Sequence, residues 1–197
     1  MAYIETTNPQ DAQGLLQEMY ARQRDNYGYV PNYAQAFTPR PEILDLWARL
    51  LNGISKNLDP RLFELVTLSA ALALKSSYCA LAHGTQLLDF FSPDQIVALA
   101  EGKGEGIVTP AEAIAMGYAR AVAEDASSID QQQVQRVMDA GFASEEVFDI
   151  AAAASARAFF TKLLDSLGAA PDREYAKLDP ALLRALAVGR PIEDPPT

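Results

Sequence analysis

The chain has 197 residues, 49% of them hydrophobic and 21% charged, with a net charge of −10 and a pI near 4.5. That is enough chain for one well-buried core, and the acidic balance without any Lys/Arg cluster argues against nucleic acid or an anionic membrane surface as partner. One cysteine cannot form an intrachain disulfide, and the start Met-Ala-Tyr-Ile-Glu-Thr-Thr has neither the basic nor the apolar region of a signal peptide, so a reducing cytoplasm is the expected compartment.

Ala and Leu together number 57 against 18 for Val and Ile, so the composition predicts an all-α fold. Proline placement supports this, because none of the twelve prolines interrupts 61–92 or 111–170. Asn8-Pro9, Asp59-Pro60, Ser92-Pro93, Thr109-Pro110 and Asp179-Pro180 each read as a capping residue followed by a first helical position. Ser92 with Gln95 and Thr109 with Glu112 also fit the reciprocal capping box.

In chain order the expected helices lie near 9–26, 41–55, 59–74, 77–91, 93–101, 110–125, 129–140, 144–167 and 179–187, within a single domain over 1–190. Tyr27 to Tyr33 is an aromatic connector broken by Gly28 and Pro31, and its tyrosines are candidates for a pocket wall. The apolar run 65–74 is too short and too interrupted for a membrane span. Gly102-Lys-Gly-Glu-Gly106 follows no strand, so it lacks the context of a nucleotide loop. Ala151 to Ala154 with Ser155, Ala156 and Ala158 reads as a small-residue face for close helix packing. Residues 191–197 read as a frayed tail.

The one cysteine and the one histidine lie four apart, in Cys79-Ala-Leu-Ala-His83, which puts both on one helix face. A thiol one turn from an imidazole is a minimal nucleophile and base pair, though a free Cys often only fills space. Glu64 could not reach either along one straight helix, since fifteen residues span roughly 22 Å. Lys75-Ser76-Ser77 instead reads as a reversal, with Ser76 or Ser77 capping a second helix, which returns Glu64 to the level of His83 and leaves Cys79 in a first turn. An ordinary thiol is only a few per cent ionised at neutral pH. Half ionisation takes about 2 kcal/mol, and a helix N-terminus supplies only about 0.3–1 kcal/mol. A protonated His83 held by Glu64 is expected to provide the remainder.

Glu64 followed by Ser76-Ser-Tyr-Cys79-Ala-Leu-Ala-His83 resembles the signature of the alkylhydroperoxidase D and carboxymuconolactone decarboxylase superfamily. Glu64, Cys79 and His83 match its glutamate, second cysteine and histidine, while Ser76 stands where its first cysteine would be. The stretch from Tyr27 to Phe37 is similar to the peroxidase-related branch, and the likeness extends over roughly residues 10–172.

The resemblance implies an all-helical bundle assembling as a trimer or hexamer, with Cys79, His83 and Glu64 catalytic; beside them Tyr78, Tyr29 and Tyr33 are candidates for a pocket wall, the alternative being a connector simply folded onto the core. It implies a small-molecule substrate such as an organic hydroperoxide and an external thiol reductant. With Ser76 the dithiol cycle cannot close within the chain, because a hydroxyl cannot resolve a sulfenic acid to a disulfide. Two alternatives stand beside this one-cysteine mechanism. One is proton transfer by His83 and Glu64 on a small organic acid or lactone, and the other is a degenerate binding or scaffold member. No metal or organic cofactor is expected, since one His and one Cys cannot build a closed zinc site.

Overall fold

Ten α-helices and three short 3-10 segments, with no strand, make up residues 2–193, the part of the chain that the computed structural model describes. The longer helices are α1 (Gly14–Tyr27), α3 (Pro41–Ser55), α4 (Pro60–Ala73), α5 (Ser77–Gln86), α7 (Pro110–Asp125) and α9 (Ser144–Ser166). Between them lie α2 (Asn32–Ala36), α6 (Pro93–Ala100), α8 (Gln131–Asp139) and α10 (Pro180–Leu186).

Caps set most of these boundaries. Asp59 accepts from the Leu62 amide, and the reciprocal boxes at Ser92 and Thr109 both form. Asp130 with Gln133 adds a box that proline placement could not reveal, because no proline follows Asp130. The first helix starts later than expected. Asn8 turns its side chain onto the Gln10 amide, closing a local turn instead of a helix, and α1 begins only at Gly14.

The central helix is α4, whose Leu65, Val66, Leu68, Ala70 and Ala71 are fully buried between α7 and α9. Its end carries the reversal at Lys75. The Lys75 amide donates to Leu72 O and the Ser76 amide to Ala71 O, the paired bonds of a Schellman motif. Lys75 sits in the left-handed region with φ 54°, where glycine is the usual occupant. After it α5 returns alongside α4, and α9 packs across both.

Beyond α10 the chain runs back over this reversal. The Gly189 amide donates to Ser77 Oγ at 2.8 Å, and the Glu193 amide donates to Pro171 O at 2.9 Å. The remainder of the expected tail, 194–197, lies outside the described residues.

Candidate active site

The reversal places Glu64 beside His83, as the spacing required. His83 Nδ1 lies 2.6 Å from Glu64 Oε2 and 3.4 Å from Thr67 Oγ1. With the carboxylate accepting, Nδ1 carries the proton and Nε2 keeps its lone pair. Among the described residues Nε2 has no protein partner. The Phe63 ring stands edge-on to the imidazole, with ring centroids 6.3 Å apart.

The charge on His83 differs from expectation. Burial lowers its pKa below the usual histidine value, and the nearby Arg157 guanidinium lowers it further, against the opposing pull of Glu64. The imidazole is therefore the neutral partner, and the cation at this site is an arginine.

Cys79 is 2% exposed and sits in the first turn of α5. Its sulfur accepts from Thr161 Oγ1 at 3.2 Å and from Arg157 Nη1 at 3.6 Å. Arg157 and Thr161 are four apart on α9, so one helix face delivers both. Cys79 and His83 make no direct hydrogen bond.

Arg157 is 4% exposed and makes no ion pair with any carboxylate among the described residues. It lies 5.7 Å from the ring centroids of both Trp47 and Phe160. The sequence reading passed over it because it is embedded in the alanine-rich stretch. The available signal was a lone arginine, one turn before Thr161, on a helix otherwise built to be buried.

Ser76 occupies the N-cap position of α5 by backbone geometry, but its hydroxyl caps nothing. It is fully buried without a hydrogen-bond partner, within electrostatic reach of Asp165.

Above the thiol, Tyr78 donates to Asp172 Oδ2 at 2.5 Å and accepts from the Tyr33 amide at 3.1 Å, while the Asn32 amide donates to Asp172 Oδ1 at 2.7 Å. Burial raises the Asp172 pKa, and these donors oppose it. Burial likewise pushes Tyr29, Tyr33 and Tyr78 upward, so all three stay phenols. Tyr29 lines a cavity of about 240 Å³ with Asn32, Gln35, Asp172 and Glu193. Tyr33 and Tyr78 instead pack edge-on beneath it, with Phe160 against Tyr33. Neither Cys79 nor His83 lines that cavity. Asp172 was invisible to sequence reasoning, because it lies 94 residues from its Tyr78 partner.

Solved structures share this architecture, three of them as follows. An uncharacterised peroxidase-related protein from Ralstonia eutropha JMP134, described as an alkylhydroperoxidase AhpD core, superposes with a TM-score of 0.78 at 17% identity, covering 88% of this chain and 94% of its own. A peroxidase-related protein from Silicibacter sp. TM1040 gives 0.74 at 18% identity, covering 89% and 98%. The debrominase Bmp8 gives 0.74 at 15% identity, covering 93% and 97%. No curated protein matches the chain. The fold is thus the alkylhydroperoxidase D-like helical core. Residues 41–125, which carry Glu64, Cys79 and His83, match the carboxymuconolactone decarboxylase family.

The His83 environment makes a prediction about stability. Its folded pKa lies below the unfolded value near 6.5. Above about pH 6.5 both states are neutral here and the contribution to stability is fully present. As pH falls through 6.5 the unfolded chain binds the proton first, so stability is lost. Urea midpoints measured from pH 8 to 5 should fall less steeply in His83→Gln than in the wild type. An equal slope would show that His83 is not held neutral.

Proposed function

We propose that the protein is a one-cysteine, thiol-dependent peroxidase acting on a small hydroperoxide, with Cys79 as nucleophile, His83 Nε2 as base and Glu64 orienting the imidazole. The observation that supports this most directly is Arg157. A buried guanidinium with no carboxylate partner is costly to fold, and a thiolate at Cys79 supplies the missing negative charge. Thr161 adds a second donor to the same sulfur.

The chemistry balances with two equivalents of an external thiol. His83 takes the thiol proton, and the thiolate attacks the terminal peroxide oxygen. The O–O bond breaks, the imidazolium returns its proton to the leaving alkoxide, and Cys79 becomes a sulfenic acid. One external thiol displaces water from it to give a mixed disulfide, and a second releases reduced Cys79 with an external disulfide. Ser76 cannot take the resolving role, so the reductant must come from outside.

Steady-state reduction of tert-butyl hydroperoxide with dithiothreitol tests the reading. Cys79→Ser should lose all turnover above background. His83→Gln should lose about 10²–10⁴-fold, the usual worth of a general base. Activity that survives in Cys79→Ser overturns the proposal, and a substrate acid or lactone lost only in His83→Gln favours the proton-transfer alternative. No helix among the described residues is long and apolar enough to cross a membrane, in keeping with a cytoplasmic site of action. Leu46 and Leu50 on α3 and Phe148 and Phe159 on α9 are exposed, which favours assembly into a homo-oligomer such as a trimer or hexamer.

A further inference from the structure

We propose that Arg157 forms an anion subsite beside Cys79, so that the electrophile reduced there carries a carboxylate. The inference rests on the thiol reading above but asks more of the same arginine. Guanidinium carries five N–H donors. One Nη1–H is directed at the sulfur over a long 3.6 Å, and Nε is buried with no partner at all.

The acidic groups near this end of the fold are committed elsewhere. Glu64 is held by His83, and Asp149, on the same helix, faces Asn57. The rings of Trp47 and Phe160 stand 5.7 Å from the guanidinium and carry no counter-charge for it. A planar fork with free donors in an apolar wall is suited to a carboxylate.

The thiolate alone does not meet this demand. Once Cys79 is a sulfenic acid or a mixed disulfide its charge is gone, and Arg157 is left buried without a counter-ion. A substrate carboxylate present through that step supplies it. The acidic surface, net charge −10, makes charge attraction at long range unfavourable. Selection for an anion must therefore act at the subsite itself.

Alkylation by iodoacetate and by iodoacetamide measures this directly, since the two reagents differ in charge and hardly in size. Thiolate activation raises both rates, whereas an anion subsite raises only their ratio. Relative to free cysteine, wild-type protein should favour iodoacetate by about tenfold, the worth of one charge-assisted bond. Arg157→Gln should bring the ratio back to that of free cysteine, and Arg157→Lys should keep part of the preference. Because Arg157 variants can misfold, a second measurement uses the wild type alone: sodium acetate, against sodium chloride at equal ionic strength, should slow iodoacetamide labelling.

A wild-type ratio equal to that of free cysteine, no protection by acetate, or no labelling of native Cys79 by either reagent overturns the proposal. A carboxylate-bearing hydroperoxide and its methyl ester then separate the two readings. If the ratio holds but neither peroxide turns over, the subsite stands and the peroxidase reading falls.

Discussion

Replacing Ser76 with cysteine is expected to turn a one-thiol site into a two-thiol pair. Ser76 and Cys79 are one turn apart at the start of α5, with the Ala80 amide already bonded to Ser76 O. Their Cα atoms are therefore about 5 Å apart, inside the range a disulfide spans. The exchange breaks no hydrogen bond, because the buried Ser76 hydroxyl has no partner within bonding distance. Mild oxidation of Ser76→Cys should consume both titratable thiols without crosslinking two chains. A ring this small constrains the unfolded chain by about 2 kcal/mol, less than a long loop does, so the thermal midpoint should rise by only a few degrees on oxidation.

Turnover with dithiol reductants should rise, and inactivation by excess peroxide should slow, because a resolving thiol captures the sulfenic acid before it is oxidised further. Failure to form the intrachain bond would show that residue 76 points away from Cys79. A bond without gain in turnover would count against the peroxidase reading and favour the scaffold or proton-transfer alternatives.

What the sequence disclosed was local in origin. The capping pairs and prolines are read within three or four residues, and they located α3, α4, α6 and α7 almost to their ends. The reversal at Lys75 was visible as a break in an apolar run, and from it the Glu64–His83 contact follows by helix geometry. Contacts made over long separation were not legible. Arg157 lies 78 residues from the sulfur it faces, and Asp172 lies 140 residues from the Asn32 amide. Nothing in either local pattern signals a partner.

The missing arginine also explains the wrong charge expected of His83. Without a known cation, the histidine was the one group available to stabilise a thiolate. In the fold the Arg157 guanidinium faces the Cys79 sulfur and helps to keep the imidazole neutral. The return of the C-terminal segment over Ser77 was hidden for the same reason, since its bond spans 112 residues.

That returning segment carries the largest stability effect expected from a single methyl group. Gly189 packs directly on the Lys75 carbonyl, and a Cβ added there would overlap the carbonyl oxygen and approach its carbon to 3.1 Å. The obstacle is backbone, not the end of a flexible side chain. Lys75 also cannot retreat easily, because the two amide bonds of the reversal hold it. Gly84 is a useful contrast, since its added Cβ would meet only the Leu186 side chain, which can rotate.

Gly189→Ala must therefore either strain the reversal or lift the segment off, losing the bond to Ser77 Oγ. Overpacking a rigid contact typically costs about 1–3 kcal/mol, and lifting the segment instead gives up the Gly189–Ser77 bond, worth about 1 kcal/mol, together with the segment's packing. A loss of about 1–3 kcal/mol in urea unfolding is expected for Gly189→Ala, against about half that for Gly84→Ala. Lifting the segment also loosens the start of α5, so hydrogen exchange at the Ala80 amide, which bonds to Ser76 O, should speed up in Gly189→Ala and not in Gly84→Ala. If Gly189→Ala unfolds at the wild-type midpoint with unchanged exchange, then the segment does not rest on the Lys75 reversal, and the first turn that carries Cys79 is held by α4 and α9 alone.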